Sequence, residues 1–85
     1  MFSLRILAKA QKQLERLRDS DRKRIGMAIN ELLIDPFAGK KLKGEWKDFW
    51  SLRVWPFRII YEIDKNIVTV TIVNVGQRKD VYKKS

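Results

Sequence analysis

The chain has 85 residues, enough for one domain with a modest hydrophobic core. It contains no cysteine and no histidine, which excludes disulfides, thiolate metal sites and every mechanism that needs an imidazole. Nineteen Lys and Arg residues against ten Asp and Glu leave a formal net charge of +9, which favours a polyanionic partner such as nucleic acid or an acidic protein. No metal and no cofactor are expected.

No stretch of the sequence has the features of a membrane span or a secretion signal. Apolar runs stay well below the roughly 18 residues that a spanning helix needs. Met1–Leu7 lacks the long apolar segment and the small-residue cleavage site of a signal peptide. We therefore expect a cytoplasmic protein without a membrane partner. Residues 1–85 contain no linker or repeat and are predicted to form a single domain.

The first half of the chain predicts one strand followed by two helices. Phe2–Leu7 alternates apolar and polar side chains, the period of a half-buried strand. Apolar residues then recur at spacings of three and four, as in amphipathic helices. The two stripes consist of Leu7, Ala10, Leu14 and Leu17, and of Ile25, Ala28, Ile29, Leu32 and Leu33.

The second helix has identifiable ends and one weak position. Asp19–Asp21 offers N-cap side chains, and Pro36 ends the helix because the residue before a proline is pushed out of the helical region. Gly26 destabilises the helix by about 1 kcal/mol relative to alanine, unless close packing needs the space. The short link between the two apolar stripes suits a helical hairpin.

The second half predicts a basic loop over residues 35–48 and then three strands. The strands cover residues 50–54, residues 57–63 and a segment that includes Val68, Val70 and Ile72. A two-residue turn at Lys65–Asn66 would place that segment's apolar side chains on the face of Ile59, Tyr61 and Ile63. The order β-α-α-β-β-β predicts an α+β fold, in which a helical hairpin packs on one face of an antiparallel sheet.

The turn between the first two of these strands brings two arginines together. If Val54 pairs with Phe57, Arg53 lies directly opposite Arg58, and like charges in that position are destabilising unless an anion lies between them. Phosphate is the obvious anion, since a guanidinium presents a planar fork of donors. Pro56 at the second central position of the turn predicts a cis peptide after Trp55.

Four segments, in order, resemble the RelE/ParE superfamily of small basic toxins from bacterial and archaeal toxin–antitoxin modules. They are Leu42–Gly44 (LKG), Leu52–Val54 (LRV), Phe57–Tyr61 (FRIIY) and Val75–Tyr82 (VGQRKDVY). The match covers nearly the whole chain. RelE-like members are ribosome-dependent endonucleases that cut mRNA, whereas ParE-like members share the fold and inhibit DNA gyrase.

The resemblance to the RelE-like branch implies catalytic roles for Arg53, Arg58, Arg78 and Tyr82. It also implies three partners: the ribosome, mRNA and an acidic antitoxin that folds on binding. The reaction would be attack of an RNA 2′-OH on the adjacent phosphate. Residues for RNA binding are predicted at Lys40, Lys41, Lys43, Lys47, Ser51, Trp55 and Lys79.

Two positions depart from the nuclease pattern and keep other functions open. Superfamily members often have a basic residue at the position of Ser51 and a histidine or lysine at that of Gln77. These departures favour a non-enzymatic gyrase inhibitor, and an inactive basic RNA-binding module is a third hypothesis. In the simplest alternative, Arg53 and Arg58 are solvated charges paired with Glu62 or a terminal acid, and Tyr82 packs on the sheet edge.

Overall fold

The computed structural model describes residues 1–77. In chain order, one strand is followed by two helices and then by the other four strands of a five-stranded sheet. Single turns of 3-10 helix occur at Pro36–Ala38 and Gly44–Trp46. The helices and strands, in chain order, are β1 (Ser3–Ile6), α1 (Ala8–Glu15), α2 (Asp19–Ile34), β2 (Lys40–Lys41), β3 (Trp50–Val54), β4 (Phe57–Asp64) and β5 (Thr69–Gln77).

The strands are arranged in the order β1-β5-β4-β3-β2. Strands β2 to β5 pair antiparallel, and β1 pairs parallel with β5. The predicted α+β fold, with a helical hairpin on one face, is confirmed, but the prediction of a wholly antiparallel sheet is wrong at β1. Alternation in the sequence indicates which side chains share a face, and it carries no information on the direction of a strand that no hairpin joins to its neighbour.

The helices cover one face of the sheet and form the hydrophobic core with it. Both predicted helical stripes contribute to the core, and Leu17 and Leu33 pack at its margin. Gly26 has space around it, because a Cβ atom there would meet nothing within 4 Å. The buried core residues are Ala10, Leu14, Ile25, Ala28, Ile29, Leu32, Phe57, Ile59, Tyr61, Val70, Ile72 and Val75.

The beginning of α2 differs from the prediction. Arg18 is the N-cap residue and makes no side-chain cap, so the predicted cap within Asp19–Asp21 is wrong. The two aspartates instead lie in the first turn, where negative charge is favourable. Asp19 accepts from Arg22 at 3.2 Å, and Asp21 pairs with Arg24 at 3.4 Å. Neither helix in residues 1–77 is long and apolar enough to cross a membrane.

The predicted loop over residues 35–48 contains the short strand β2, and Tyr61 holds it in place. The Tyr61 hydroxyl donates to the carbonyl of Pro36 at 2.7 Å and accepts from the N–H of Gly39 at 3.2 Å. A Cβ atom on Gly39 would lie 2.8 Å from the carbonyl oxygen of Ser51 and still closer to the Tyr61 hydroxyl. A glycine is therefore required where the loop joins the sheet.

The turn between β4 and β5 is longer than predicted. A four-residue loop, 65–68, replaces the two-residue turn, and Val68 lies exposed at a φ of 50° instead of on the core face. The pairing therefore shifts by two residues, to Ile63 with Val70 and Tyr61 with Ile72. An even shift preserves the face of every side chain, so Val70 and Ile72 are buried as predicted.

Candidate anion-binding face

The two arginines of the β3–β4 hairpin lie side by side. Val54 pairs with Phe57 and Arg53 with Arg58, and the peptide bond between Trp55 and Pro56 is cis, so both predictions are confirmed. The alternate residues of these strands pack against the core. Arg53 and Arg58 therefore project from the opposite face of the sheet, away from the helices.

The environment of the pair leaves positive charge available. Arg58 is half-buried and donates from Nη1 to the Oγ of Ser51 at 3.3 Å, while Arg53 is exposed. Within residues 1–77, neither arginine has a carboxylate oxygen within 4 Å, so the alternative pairing with Glu62 is not observed there. An anion between the two guanidinium groups would relieve their repulsion.

Ser51 supports Arg58 from beneath. Its side chain is only 4% exposed, and its hydroxyl accepts the Arg58 hydrogen bond. Because the hydroxyl is buried, it is poorly accessible to a ligand, and its role here is to orient the guanidinium of Arg58. The predicted RNA contact at Ser51 is therefore indirect in this arrangement.

The basic loop cluster is divided between the two faces. Lys40 pairs with Ser51 and so shares the face of the arginines, whereas Lys41 pairs with Trp50 and faces the helix side. Lys41 and Lys47 line a depression of about 210 Å³ together with Trp50. Lys43 is exposed in the loop between β2 and the next 3-10 turn. Of the two lysines in β2, Lys40 is the one that extends the arginine pair along the sheet.

The hairpin tip is anchored to a helix. Trp55 is 66% exposed, and its carbonyl oxygen accepts from Nη2 of Arg24 on α2 at 2.5 Å. Arg24 also pairs with Asp21, which fixes its guanidinium. Sequence reasoning missed this contact, because no spacing within α2 points to a residue 31 positions further along the chain.

A second contact between distant residues supports β5. Gln13 on α1 donates from Nε2 to Oδ1 of Asn74 at 2.7 Å and accepts from the N–H of Val75 at 2.7 Å. These bonds lie next to the register shift between Ile60 and Tyr61, where the β4–β5 pairing is irregular. Gln13 thereby satisfies the backbone N–H of Val75, which lies beyond the part of β5 that pairs with β1.

Three predicted site residues lie outside the described residues: Arg78, Lys79 and Tyr82. The last described residues of β5 lie beside the arginine pair in the sheet, since Gly76 pairs with Arg58 and Gln77 with Phe57. Tyr61 is not an alternative proton donor. Burial raises its pKa to about 12, and its hydroxyl is engaged by the loop before β2.

The chemistry available on this face is electrostatic. Two guanidinium groups bind the oxygens of a phosphate and stabilise negative charge that develops on it. Neither transfers a proton, because an arginine side chain stays protonated in proteins. The described part of the site is therefore suited to binding an anion, and proton transfer would need a further group.

The same architecture occurs in a group of known toxins. The family model described as "ParE toxin of type II toxin-antitoxin system, parDE" matches residues 4–82. Toxin RelG of Mycobacterium tuberculosis is 33% identical over 61 residues, which are 71% of this chain and 70% of RelG. In the toxin–antitoxin complex RelBE2, also from M. tuberculosis, one chain matches with a TM-score of 0.83 at 28% identity, over 91% of this chain and 98% of that one. The isolated E. coli RelE toxin matches with a TM-score of 0.80 at 25% identity, over 96% and 92% of the two chains.

A small basic α+β chain with these relatives is a toxin of a toxin–antitoxin module. The chain belongs to the ParE toxin family and, with it, to the RelE/ParE toxin superfamily. The family resemblance predicted from the sequence is thereby confirmed.

Proposed function

We propose that this toxin is a ribosome-dependent mRNA endonuclease of the RelE type that acts in the cytoplasm. The observation that carries the proposal is the pairing of Arg53 with Arg58 on the face opposite the helices, without a carboxylate partner in residues 1–77. Two guanidinium groups placed opposite each other repel, whereas both can donate hydrogen bonds to one phosphodiester group. The similarity to RelG and to E. coli RelE supports the same branch.

The proposed reaction is attack by the 2′-oxygen of the RNA on the adjacent phosphorus. The new P–O2′ bond replaces the P–O5′ bond, which leaves a cyclic phosphate and a free 5′-OH. The 2′-OH loses its proton to a base, and the leaving O5′ gains one. Arg53 and Arg58, with Arg78 as the third cation, stabilise the charge of the phosphorane.

Tyr82 is the proposed proton donor or relay. Its reference pKa near 10 makes it a poor base at neutral pH, and neighbouring arginines would lower that pKa. The chain has no histidine for either proton transfer. Alignment of the 2′-OH would come mainly from the ribosome and mRNA, so we expect slow cleavage by the isolated toxin.

The proposed partner that silences the toxin is an acidic antitoxin. Several similar structures are toxin–antitoxin complexes, including RelBE2 of M. tuberculosis and the intact E. coli RelBE. A net charge of +9 favours an acidic chain, and a chain laid over the arginine pair would compete with RNA.

Inhibition of DNA gyrase is the second candidate function. The observation in its favour is that Ser51 is a buried neutral residue, so the position supplies no cation. The family model that matches the chain is also the one named for ParE. A gyrase inhibitor would use the same surface for binding, without the need for proton transfer.

The test is a cell-free translation reaction in which mRNA ends are mapped by primer extension. We expect codon-phased cuts that require ribosomes and disappear with Arg58→Ala. The matched control is Arg16→Ala. Arg16 is an exposed arginine at the end of α1, outside the β3–β4 hairpin, and the variant should cleave mRNA normally. Intact mRNA together with impaired DNA supercoiling by gyrase would contradict the nuclease and favour the second function.

A further inference from the structure

The depression beside β2 lies on the helix side of the sheet, away from the arginine pair. Phe37 and Trp50 are among its apolar walls, and Trp50 packs against the core. Its volume of about 210 Å³ is below the roughly 300–1,000 Å³ of a pocket for a drug-sized ligand. A ligand that fits is therefore a small group, of the size of one ring system.

Two aromatic rings form a fixed corner of the depression. Phe37 and Trp50 meet edge to face, with their ring centroids 5.5 Å apart. Trp50 in turn stacks with the buried Tyr61 at 6.4 Å. The Tyr61 hydroxyl bonds to Pro36 and Gly39, which fixes the turn between them. Phe37 nevertheless remains 46% exposed, so the corner presents an apolar surface without a partner ring of its own on that side.

Three lysines from separate parts of the chain converge on this corner. They are Lys41 of β2, Lys47 of the loop before β3 and Lys65 of the loop after β4. The Nζ of Lys65 lies 5.4 Å from the centre of the Phe37 ring. Asp48 also lines the depression, so three lysines against one aspartate leave an excess of two positive charges. None of the four has an ion pair within 4 Å in the described chain, and such a cluster attracts anions.

We propose that the depression binds one unpaired nucleotide of the RNA strand that the arginine pair holds. The base would pack against the aromatic corner, and the adjoining phosphates would contact the lysines. Positive groups combined with aromatic rings are the features by which proteins bind single-stranded nucleic acid. The predicted RNA contacts of Lys41 and Lys47 would thus belong to a second site, to which Phe37, Trp50 and Lys65 contribute.

The edge of the sheet connects this second site to the arginine pair. Strand β2 is the outermost strand at its end of the described sheet. Lys40 and Lys41 are consecutive in β2, so their side chains lie on opposite faces of this edge. A flexible strand can therefore pass from Arg53 and Arg58 around the edge and remain in contact with cations. A duplex is too stiff for that path, which selects single-stranded RNA.

This inference rests on the proposed RNA substrate and adds a contact outside the cleavage site. The two surfaces lie on opposite faces of the sheet, so each can be altered without the other. Loss of the second site should weaken the binding of a strand long enough to pass the edge. It should leave the binding of a dinucleotide unchanged, because a dinucleotide reaches only the arginine pair.

The test measures the affinity of the purified toxin for an uncleavable 2′-O-methyl RNA of about twelve nucleotides by fluorescence anisotropy. Phe37→Ala should bind it about fivefold or more weakly, the effect of one lost base stack. Phe37→Trp, which keeps an aromatic surface, should retain most of the affinity. The matched control is Ile34→Ala, because Ile34 is 71% exposed, does not line the depression and should leave the affinity unchanged.

Two further measurements locate the contact. Lys65→Gln should lower the slope of log affinity against log salt by about 0.7, whereas Lys23→Gln, an exposed lysine outside the depression, should not. Ultraviolet cross-linking of the wild type, mapped by mass spectrometry, should place the RNA on Phe37 or Trp50. Cross-linking needs no variant, so it is unaffected by any loss of stability in Phe37→Ala.

Three results would overturn the inference. If Phe37→Ala binds the RNA like the wild type and no cross-link maps to the corner, this strand does not enter the depression. Codon-phased mRNA cleavage by the same protein would then leave the proposed function intact. If Phe37→Ala weakens only the binding of ribosomes or of the co-expressed antitoxin, the occupant is a different partner. If the wild type neither binds the RNA nor cleaves mRNA, the proposed function fails as well.

Discussion

Arg58 donates a hydrogen bond to the hydroxyl of Ser51 across the β3–β4 pair, at 3.3 Å between Nη1 and Oγ. Arg58 is half-buried, and this contact connects it to a side chain that is itself buried. The guanidinium is thus oriented before any ligand arrives, which lowers the entropic cost of binding. Arg53, directly opposite, has no such support within residues 1–77.

Replacement of Ser51 by alanine should loosen Arg58 without removing its charge. Loss of one charge-assisted hydrogen bond of about 1 kcal/mol corresponds to roughly a fivefold weaker affinity for a single-stranded RNA oligonucleotide. The measurement is fluorescence anisotropy at fixed salt. Ser51→Thr, which keeps the hydroxyl, should retain most of the affinity. Equal affinities for all three proteins would show that the Arg58–Ser51 contact does not prepare the site.

Replacement of Arg53 by glutamine should raise stability and lower RNA affinity together. Removal of the like-charge pair with Arg58 should increase the free energy of unfolding by roughly 0.2–1 kcal/mol at low salt. The slope of log affinity against log salt should fall by about 0.7, the value for one phosphate contact on a single strand.

The two measurements for Arg53→Gln are urea denaturation and an RNA titration over a series of salt concentrations. Addition of phosphate should narrow the stability difference between variant and wild type, since an anion relieves the repulsion. An unchanged salt slope would mean that Arg53 does not contact RNA.

Replacement of Arg24 by alanine should release the hairpin tip. The variant loses the hydrogen bond from Arg24 to the Trp55 carbonyl and the ion pair with Asp21. We expect a loss of about 1 kcal/mol in the free energy of unfolding, because both contacts are partly exposed to solvent. Lys23→Ala, an exposed neighbour on the same helix, should change stability by much less. The fluorescence of Trp55 and the other tryptophans would report a change at the tip.

Replacement of Tyr61 by phenylalanine should alter the response to alkaline pH. Burial raises the pKa of Tyr61 from 10.0 to about 12, so the folded state favours the neutral phenol. The resulting stabilisation is complete below about pH 10 and is lost as the pH rises through about 12. The wild type should therefore lose more stability than Tyr61→Phe between these two values.

At neutral pH the wild type should be more stable than Tyr61→Phe, because the variant loses the hydrogen bonds to Pro36 and Gly39. We expect that loss to cost about 1–2 kcal/mol. Urea denaturation at pH 7, 10 and 11 measures both effects. Tyr82→Phe controls for the second tyrosine. Parallel pH profiles for wild type and Tyr61→Phe would contradict the raised pKa.

Two glycine-to-alanine changes should have opposite signs. Gly39→Ala would place a Cβ atom 2.8 Å from the Ser51 carbonyl oxygen, so the loop must move, at a cost of about 1–3 kcal/mol. Gly26→Ala meets open space within a helix and should stabilise the free toxin by about 0.5–1 kcal/mol. Thermal unfolding of the two variants beside the wild type measures the contrast. Destabilisation by Gly26→Ala would mean that the helix needs glycine for itself.

Local patterns were sufficient for both helices, for most of the strands and for the Arg53–Arg58 pair. The spacing of apolar residues identified both helices and the core faces of β3 and β4, because burial of one side imposes a period of 3.6 or 2. The four-residue hairpin from Val54 to Phe57 defined its own register, so Arg53 and Arg58 could be paired from the sequence. Proline at its third position was likewise a local signal for the cis bond.

Relationships between distant segments were decided only by the tertiary structure. No periodic pattern in the sequence indicates the parallel pairing of β1 with β5 or the placement of Lys40 and Lys41 on opposite faces. The same holds for the contacts of Arg24 with Trp55 and of Gln13 with Asn74. Each depends on how separate elements pack, and a side chain that reaches another element obeys no spacing rule. The chain's sequence thus determined its two helices, its charge and its arginine pair, whereas packing decided the direction of β1 and which cations share a face.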